Sequence, residues 1–539
     1  MSKIAGYLAS HLRGEVLSNE AVINNLSTDG SVLRAKPILA VYPYDTSDLR
    51  KTAHFAWQLA GKGHVLPLIT RGGGTNRVGG AIGTGAIISM PTHFSTIFEI
   101  DTKQKLVRLQ PGIQVASLQQ AMHTHGLEWP VDATHPTSTV GGAIANNTYG
   151  ARALSYGDTS EWVDKLEVIL SNGDVIQTEK LSKRQLSRKK GLSTFEGELY
   201  RKLDALIEDN EEIISGLAQK QTSAGYAIGK VKDRKGNFNL TPLIAGSQGT
   251  LGIIGEAILK LDVLHPNKEA VAIIPQSLDT IDELVAAVIK CAPDKVEFFD
   301  AQTLDRIQPN LSAILPDDEP DAMPQGLLFL QFSDVGRKAK ARAKKAAKIV
   351  EKQGHQTAFS NGDPDSAAEI WQVYQRLSTA IVLEGEDHKY PVPLVEDALL
   401  PPTEVVHFIE AAHKLAKEHR TKLVASAHLA TGVVRAYVLL DLKNLSDRNK
   451  TSKLVDEYYK LVLKHDGGIA GEYGEGRARA TQNNLQFTQK EQDLFVAIKN
   501  IFDSYSIFNP GVKLPGEKDT AKLDEDFDPG KYSNNLPRL

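Results

Sequence analysis

At 539 residues, 41% hydrophobic and 24% charged, the chain has material for three or four domain-sized units or two large ones. A formal net charge of −4 gives no reason to expect nucleic acid, and Cys291, the single cysteine, excludes an internal disulfide, a Cys-rich zinc site and an iron–sulfur cluster held by this chain alone. No signal-peptide core and no run approaching ~18 apolar residues is found, so a cytoplasmic protein without a transmembrane segment is expected.

In chain order, "PILAVYPYDTSDLRKTAHFAWQLAGKGHVLPLIT" reads as strand, turn, helix, strand, with "DTSD" supplying the N-cap. "GAIISM", "STIFEID" and "KLVRLQPG" predict short strands, and "VASLQQAMHTHGL" an amphipathic helix. "KLEVILSNGDVIQ" predicts a hairpin turning at its Asn-Gly, residues 183–238 a polar helix-rich insertion, and "EAILKLDVL" a closing strand. From residue 267 strand-like runs ("AVAIIP", "GLLFLQF", "TKLVASAHL", "VRAYVLLDL") alternate with charged helices, predicting a second α+β domain. The lysine-rich helix around 337–353 is read as a solvated face, since no aromatic stacking residues interleave it. The polar tail after Pro515 is read as partly disordered or draped on the surface.

Three glycine-rich tracts carry the chemistry. "PLITRGGGTNRVGGA" (67–81) follows a strand, and its successive N–H groups, with the Thr75 and Asn76 side chains, suit a pyrophosphate nest. It is neither a Walker A loop nor a G-x-G-x-x-G fingerprint. In "HPTSTVGGAIANNTYGARALSYGD" (135–158), Ser138 and Thr139 offer hydroxyls while Gly141 and Gly142 allow a planar ligand close to the backbone. "LIAGSQGTLGIIGEA" (243–257) is the third tract. Each alone is compatible with a tight turn; one extended phosphate-bearing ligand accounts for all three together. A fourth stretch, "GGIAGEYGEGRARA" (467–480), is either a solvated loop or a backbone bent to aim acid, phenol and guanidinium at one point.

The three tracts, in this order, resemble the FAD-binding domain of the PCMH-type (vanillyl-alcohol oxidase) flavoprotein superfamily. "KYPVPLVEDALLPP", "AHLATGVVRAYVLLDL", "GGIAGEYGEGRARA" and "FNPGVKLP" narrow the resemblance to its D-lactate dehydrogenase, glycolate oxidase and D-2-hydroxyglutarate dehydrogenase branch. The resemblance implies an α+β fold. A two-subdomain FAD-binding domain would span 1–265 and a substrate (cap) domain with an antiparallel sheet 266–505. A C-terminal segment, 506–539, would return to the FAD domain. It also implies that Gly72, Gly73, Gly74, Thr75 and Asn76 hold the FAD pyrophosphate, and that Pro136, Ser138, Thr139, Gly142 and Asn146 line the flavin. Gly246, Gly249 and Ile254 would touch the adenine and ribose half, and Asn509 would return to the ring. Non-covalent FAD is expected, with Cys291 placed in a helix of the second domain and no linking histidine in the tracts.

The substrate side departs from the family. Relatives carry a His-x₆-His signature and Gly-Glu-His-Gly, whose two histidines and glutamate can bind a metal. Here His428 and Glu472 match, but Arg435 and Tyr473 stand at the other histidine positions. No tightly bound metal is therefore expected. Arg435 could grip a substrate carboxylate bidentately, with Arg477 and Lys389 as reserve cations. Tyr473 could be the base if neighbouring positive charge lowers its pKa, with His428 as runner-up. The expected function is FAD-dependent oxidation of a small, D-lactate-like 2-hydroxy acid by hydride transfer. A redox-neutral synthase-like reaction and a non-catalytic flavin-binding subunit stay open beside it. Electrons would leave to oxygen, a quinone or a separate redox protein, and an oligomer is compatible with the sequence.

Overall fold

The computed structural model describes residues 3–132, 135, 137–220, 222–306, 324–383, 385–514 and 521–529. The first sheet has the order Glu15–Leu17, Leu39–Tyr42, Ala86–Ser89, Leu68–Arg71, and its last three strands run parallel. Helix Thr46–Gly61 crosses between parallel strands, as such a connection requires. Asp45 starts it by accepting the Asp48 N–H, and Leu49, Ala53, Ala56 and Ala60 pack against Leu39, Val41, Ala86 and Ile88.

The second sheet is antiparallel, in the order Val175–Thr178, Val163–Ile169, Ile253–Lys260, Leu106–Leu109, Ile97–Asp101. Its first pair is the Asn-Gly hairpin, turned where Gly173 adopts φ +85°. Helices Val115–His123 and Phe195–Asp209 cover its apolar face through Leu118, Met122, Leu199 and Leu203.

An eight-stranded antiparallel sheet occupies the rest, in the order Gln356–Phe359, Asn267–Ile274, Gly326–Asp334, Lys295–Asp300, Leu423–His428, Val433–Leu440, Tyr390–Val392, with Ala398–Leu399 also pairing Val433–Leu440. Helices Ile281–Ile289, Lys338–Lys352, Val405–Glu418 and Leu445–Lys464 share one core with it. The lysine-rich helix buries Ala339, Ala343, Ala346, Ala347 and Val350, which keeps most of its lysines toward water. Helix Pro364–Leu383 packs Ile370, Val373, Leu377 and Tyr374 with Phe299 and Phe329 in a separate cluster.

The chain end returns to the start. Asn509 N–H donates to Leu68 O at 3.0 Å, and Leu523 pairs with Leu33. Two readings change. The second glycine tract contains a helix, Val140–Asn146, because Thr139 caps it by accepting the Gly142 N–H at 3.2 Å. Cys291 sits just after helix Ile281–Ile289 rather than in it, buried in the large core as a small apolar residue.

Candidate functional site

The strand Leu68–Arg71 delivers the chain to Gly72, and the three tracts converge there on one cleft of about 1130 Å³, part of it open to solvent. The first tract is held from behind: Gly30 N–H donates to Gly74 O at 3.0 Å, and Arg71 donates to Thr28 O at 2.8 Å and Ala81 O at 3.2 Å. Asn76 Oδ1 accepts the N–H groups of Val78 at 3.0 Å and Gly80 at 2.7 Å, closing the loop on itself. A Cβ on Gly72 would lie 2.2 Å from Thr139 Oγ1, so only glycine lets the first tract lie against the second. The third tract docks on the end of helix Val140–Asn146, with Gly246 N–H on Ile144 O and Gln248 N–H on Ala145 O, both at 2.9 Å.

Gln248 ties this glycine-rich wall to residues 471–480. Its Nε2 donates to Tyr473 O at 2.8 Å and its Oε1 accepts the Gly476 N–H at 3.0 Å. The loop itself is organised by buried Asp397, whose Oδ2 accepts the successive N–H groups of Gly471, Glu472 and Tyr473. Buried Arg479 pairs with that carboxylate and donates to Asp397 O at 2.6 Å. Glu475 points inward, to Lys513 at 2.5 Å and the Gly225 N–H at 2.6 Å. Gly476 has φ +52°, and a Cβ there would meet Val78 O at 2.0 Å, so the loop's glycines serve close approach. Glu472 and Tyr473 are left to line the cleft.

The opposite wall is set by strand register. Glu297 lies across from His428, and Arg435 across from Ser426, so all three project from one face of the eight-stranded sheet. Arg435 Nη2 donates to Glu472 Oε2 at 2.5 Å and to His428 Nε2 at 3.1 Å. Among the described residues no group of three or more His, Cys, Asp or Glu could hold a metal ion. Burial, then the charges of Arg435 and Lys295, hold His428 well below the usual histidine range, so it is neutral at pH 7.

Burial, then the Glu472 charge, push the Tyr473 phenol up, and Arg435 only partly offsets them. Tyr473 is therefore a hydrogen-bond donor at neutral pH, which corrects the expectation of a base activated by cations.

The predicted residues divide as follows. Gly72, Gly73, Gly74, Thr75, Asn76, Ser138, Thr139, Gly142, Asn146, Gly249, Ile254, Glu472 and Tyr473 line the cleft, with Arg435 and His428 directly behind Glu472. Gly246 and Asn509 are absent from the described lining; Asn509 braces it, donating to Gly80 O at 2.9 Å and Gln248 O at 2.8 Å. Arg477 binds Gly79 O at 2.9 Å, Asn509 Oδ1 at 3.0 Å and Pro510 O at 2.9 Å, so its role is corrected from reserve cation to brace. Lys389 is also corrected: it lies near Glu386 and Asp447, outside the cleft lining. Pro136 lies outside the described residues.

Sequence reasoning passed over Arg77, His135, Gln248, Asp397 and Glu297. Arg77 and Gln248 stand inside the quoted tracts and His135 opens one, so position alone could have flagged them. Arg77 lines the cleft while donating to Tyr437 OH at 3.2 Å and pairing with Glu396 at 3.5 Å. Asp397 likewise stands inside the quoted "KYPVPLVEDALLPP", whereas Glu297 carried no local signal, because its partners are set by tertiary contacts.

The lining suits FAD. From Thr70 to Thr148 its described residues include Arg77 but no Asp or Glu, and the lining carboxylate, Glu472, is paired with Arg435. Residues 37–179 match the family model described as an FAD binding domain, and residues 266–512 the one described as the C-terminal domain of FAD linked oxidases. The chain thus carries an FAD binding domain followed by the C-terminal domain found in FAD linked oxidases. FAD is its cofactor, and the glycine tracts line the cleft. The chain is similar to D-2-hydroxyglutarate dehydrogenase of Haemophilus influenzae, 26% identical over 93% of this chain and 50% of that one. It is also 27% identical to glycolate oxidase subunit GlcD of Bacillus subtilis, over 83% of this chain and 84% of that one. The chain thus spans about half the length of the hydroxyglutarate dehydrogenases it matches. The fold is that of p-cresol methylhydroxylase, with a TM-score of 0.67, 14% identity, and coverage of 94% of this chain and 96% of that one. No helix among the described residues is long and apolar enough to cross a membrane.

Proposed function

We propose that this protein oxidises a small 2-hydroxy carboxylate to the 2-oxo acid. The observation that carries the reading is Arg435, a half-buried cation held between neutral His428 and Glu472, the latter a residue of the cleft lining. Bound FAD supplies the acceptor for the hydride leaving the substrate's Cα. Arg435 turns its guanidinium onto the substrate carboxylate, a planar fork meeting a planar acceptor. That movement uncovers the Nε2 lone pair of His428, which takes the hydroxyl proton. Tyr473, protonated and fixed through its backbone by Gln248, donates to a substrate oxygen. The similarity to named 2-hydroxy acid dehydrogenases supports the substrate class.

The test is anaerobic mixing of FAD-loaded protein with D-lactate, glycolate and D-2-hydroxyglutarate, followed by absorbance. Bleaching by at least one acid is expected. A flavin that none of them reduces would sink the reading in favour of a redox-neutral reaction or a non-catalytic flavin-binding subunit. Reoxidation by oxygen, a soluble quinone or a redox protein then identifies the electron acceptor.

A further inference from the structure

His428 has a neighbour that the proposed reaction does not use. Glu297 and His428 are directly paired across adjacent strands, and both are nearly fully buried. His428 Nδ1 and Glu297 Oε1 face one another at 3.6 Å, and neither atom has a hydrogen-bond partner among the described residues. The other Glu297 oxygen accepts the Tyr374 hydroxyl at 2.9 Å, which anchors the carboxylate from helix Pro364–Leu383.

The protons on this chain of groups can be assigned. A guanidinium only donates, so His428 Nε2, 3.1 Å from Arg435 Nη2, must be an acceptor. A neutral ring with its lone pair on Nε2 carries its hydrogen on Nδ1, and that hydrogen points at Glu297 Oε1. The facing pair is therefore a donor and an acceptor, short of hydrogen-bond length by a few tenths of an ångström. Leaving both buried groups unmade is costly.

We propose that Glu297 is a positioning residue: it holds His428 as the Nδ1–H tautomer, reserves Nε2 as the proton acceptor and stabilises the imidazolium that forms when Nε2 is protonated. This rests on the proposed reaction, in which the substrate hydroxyl gives its proton to Nε2. Arg435 and Lys295 oppose a positive charge on His428, while Asp132 favours it, and Glu297 is the carboxylate that faces Nδ1 from the paired strand. Lys295 is itself engaged by Asp132 at 2.5 Å. Tyr374 acts one step further back, through Glu297.

The experiment is stopped-flow flavin reduction by the best 2-hydroxy acid in Glu297→Gln, Glu297→Asp and Tyr374→Phe holoprotein, with ¹⁵N-histidine NMR of the same proteins. His428 is assigned by the signal lost in His428→Gln. The expected result is about 100-fold slower reduction in Glu297→Gln with substrate affinity within about threefold, partial recovery in Glu297→Asp, and a loss of roughly tenfold in Tyr374→Phe. The wild-type spectrum should have a protonated Nδ1 and a bare Nε2, with that preference lost in Glu297→Gln. An unchanged tautomer and unchanged reduction rate in Glu297→Gln would overturn the proposal. If that variant does not fold, wild-type behaviour of Tyr374→Phe overturns it. Should no acid reduce even the wild-type flavin, the proposed reaction fails, and the NMR arm still tests the Glu297–His428 pair.

Discussion

The two walls of the cleft are built on opposite principles. The glycine-rich wall uses backbone: its tracts lie within van der Waals reach of each other, and its described lining from Thr70 to Thr148 has Arg77 and no carboxylate. The wall on the eight-stranded sheet uses charge: Arg435 pairs with Glu472 and Lys295 with Asp132, beside His428 and Glu297. A backbone wall is tolerant in side-chain identity but intolerant of added volume. A wall of buried charges is the reverse, because each ion is stable only while its partner is present.

Removing Arg435 breaks the charged wall hardest. Arg435→Ala leaves buried Glu472 without its guanidinium, and a loss of about 3–5 kcal/mol in unfolding free energy is expected by urea titration. Flavin reduction should fall by ~10³ or more, equivalent to about 4 kcal/mol of barrier. Arg435→Lys should recover part of the stability and little of the rate, since an ammonium cannot replace a planar fork.

The matching change in the glycine wall is Gly72→Ala. Its Cβ, 2.2 Å from Thr139 Oγ1, forces the first two tracts apart. An overpacking cost of about 1–3 kcal/mol predicts FAD binding weaker by roughly 5- to 150-fold in fluorescence titration. Reduction of the FAD that remains bound should be little changed. Equal damage to affinity and rate would erase the distinction between the walls.

Acid probes a smaller effect. Burial, then the Arg77 charge, lower the His135 pKa to about 4, below its value in the unfolded chain. The unfolded state therefore takes up its proton first. This contribution to stability is complete above about pH 6.5 and is lost as pH falls toward 4. Tm should decline through that window, and less steeply in His135→Asn. Lys389→Ala should have the smallest effect, within about 0.5 kcal/mol and with an unaltered reduction rate, because Lys389 lies outside the cleft lining.

Much of the glycine wall was legible in the sequence because the constraint there is local. A strand that ends in three glycines, or a hairpin turning on Asn-Gly, declares itself within a few residues. The helix Val140–Asn146 was missed because Thr139 was read as a ligand to the flavin, whereas it also serves as an N-cap. On the charged wall the resemblance picked out His428, Arg435, Glu472 and Tyr473, but not how they are paired. The stretch 467–480 supplies Glu472, Glu475, Arg477 and Arg479, and nothing within it says which one faces the cleft.

The sequence by itself determined the α+β character, FAD as the cofactor and the glycine tracts that line the cleft. Only the tertiary structure decided that Asp397 gathers three N–H groups to aim Glu472, that Glu475, Arg477 and Arg479 serve as braces, and that Glu297 stands behind His428. The reason is physical: glycine's steric freedom acts on its own chain neighbours. A buried charge is defined by the partner it meets, and strand register chooses that partner from a segment far away in the chain.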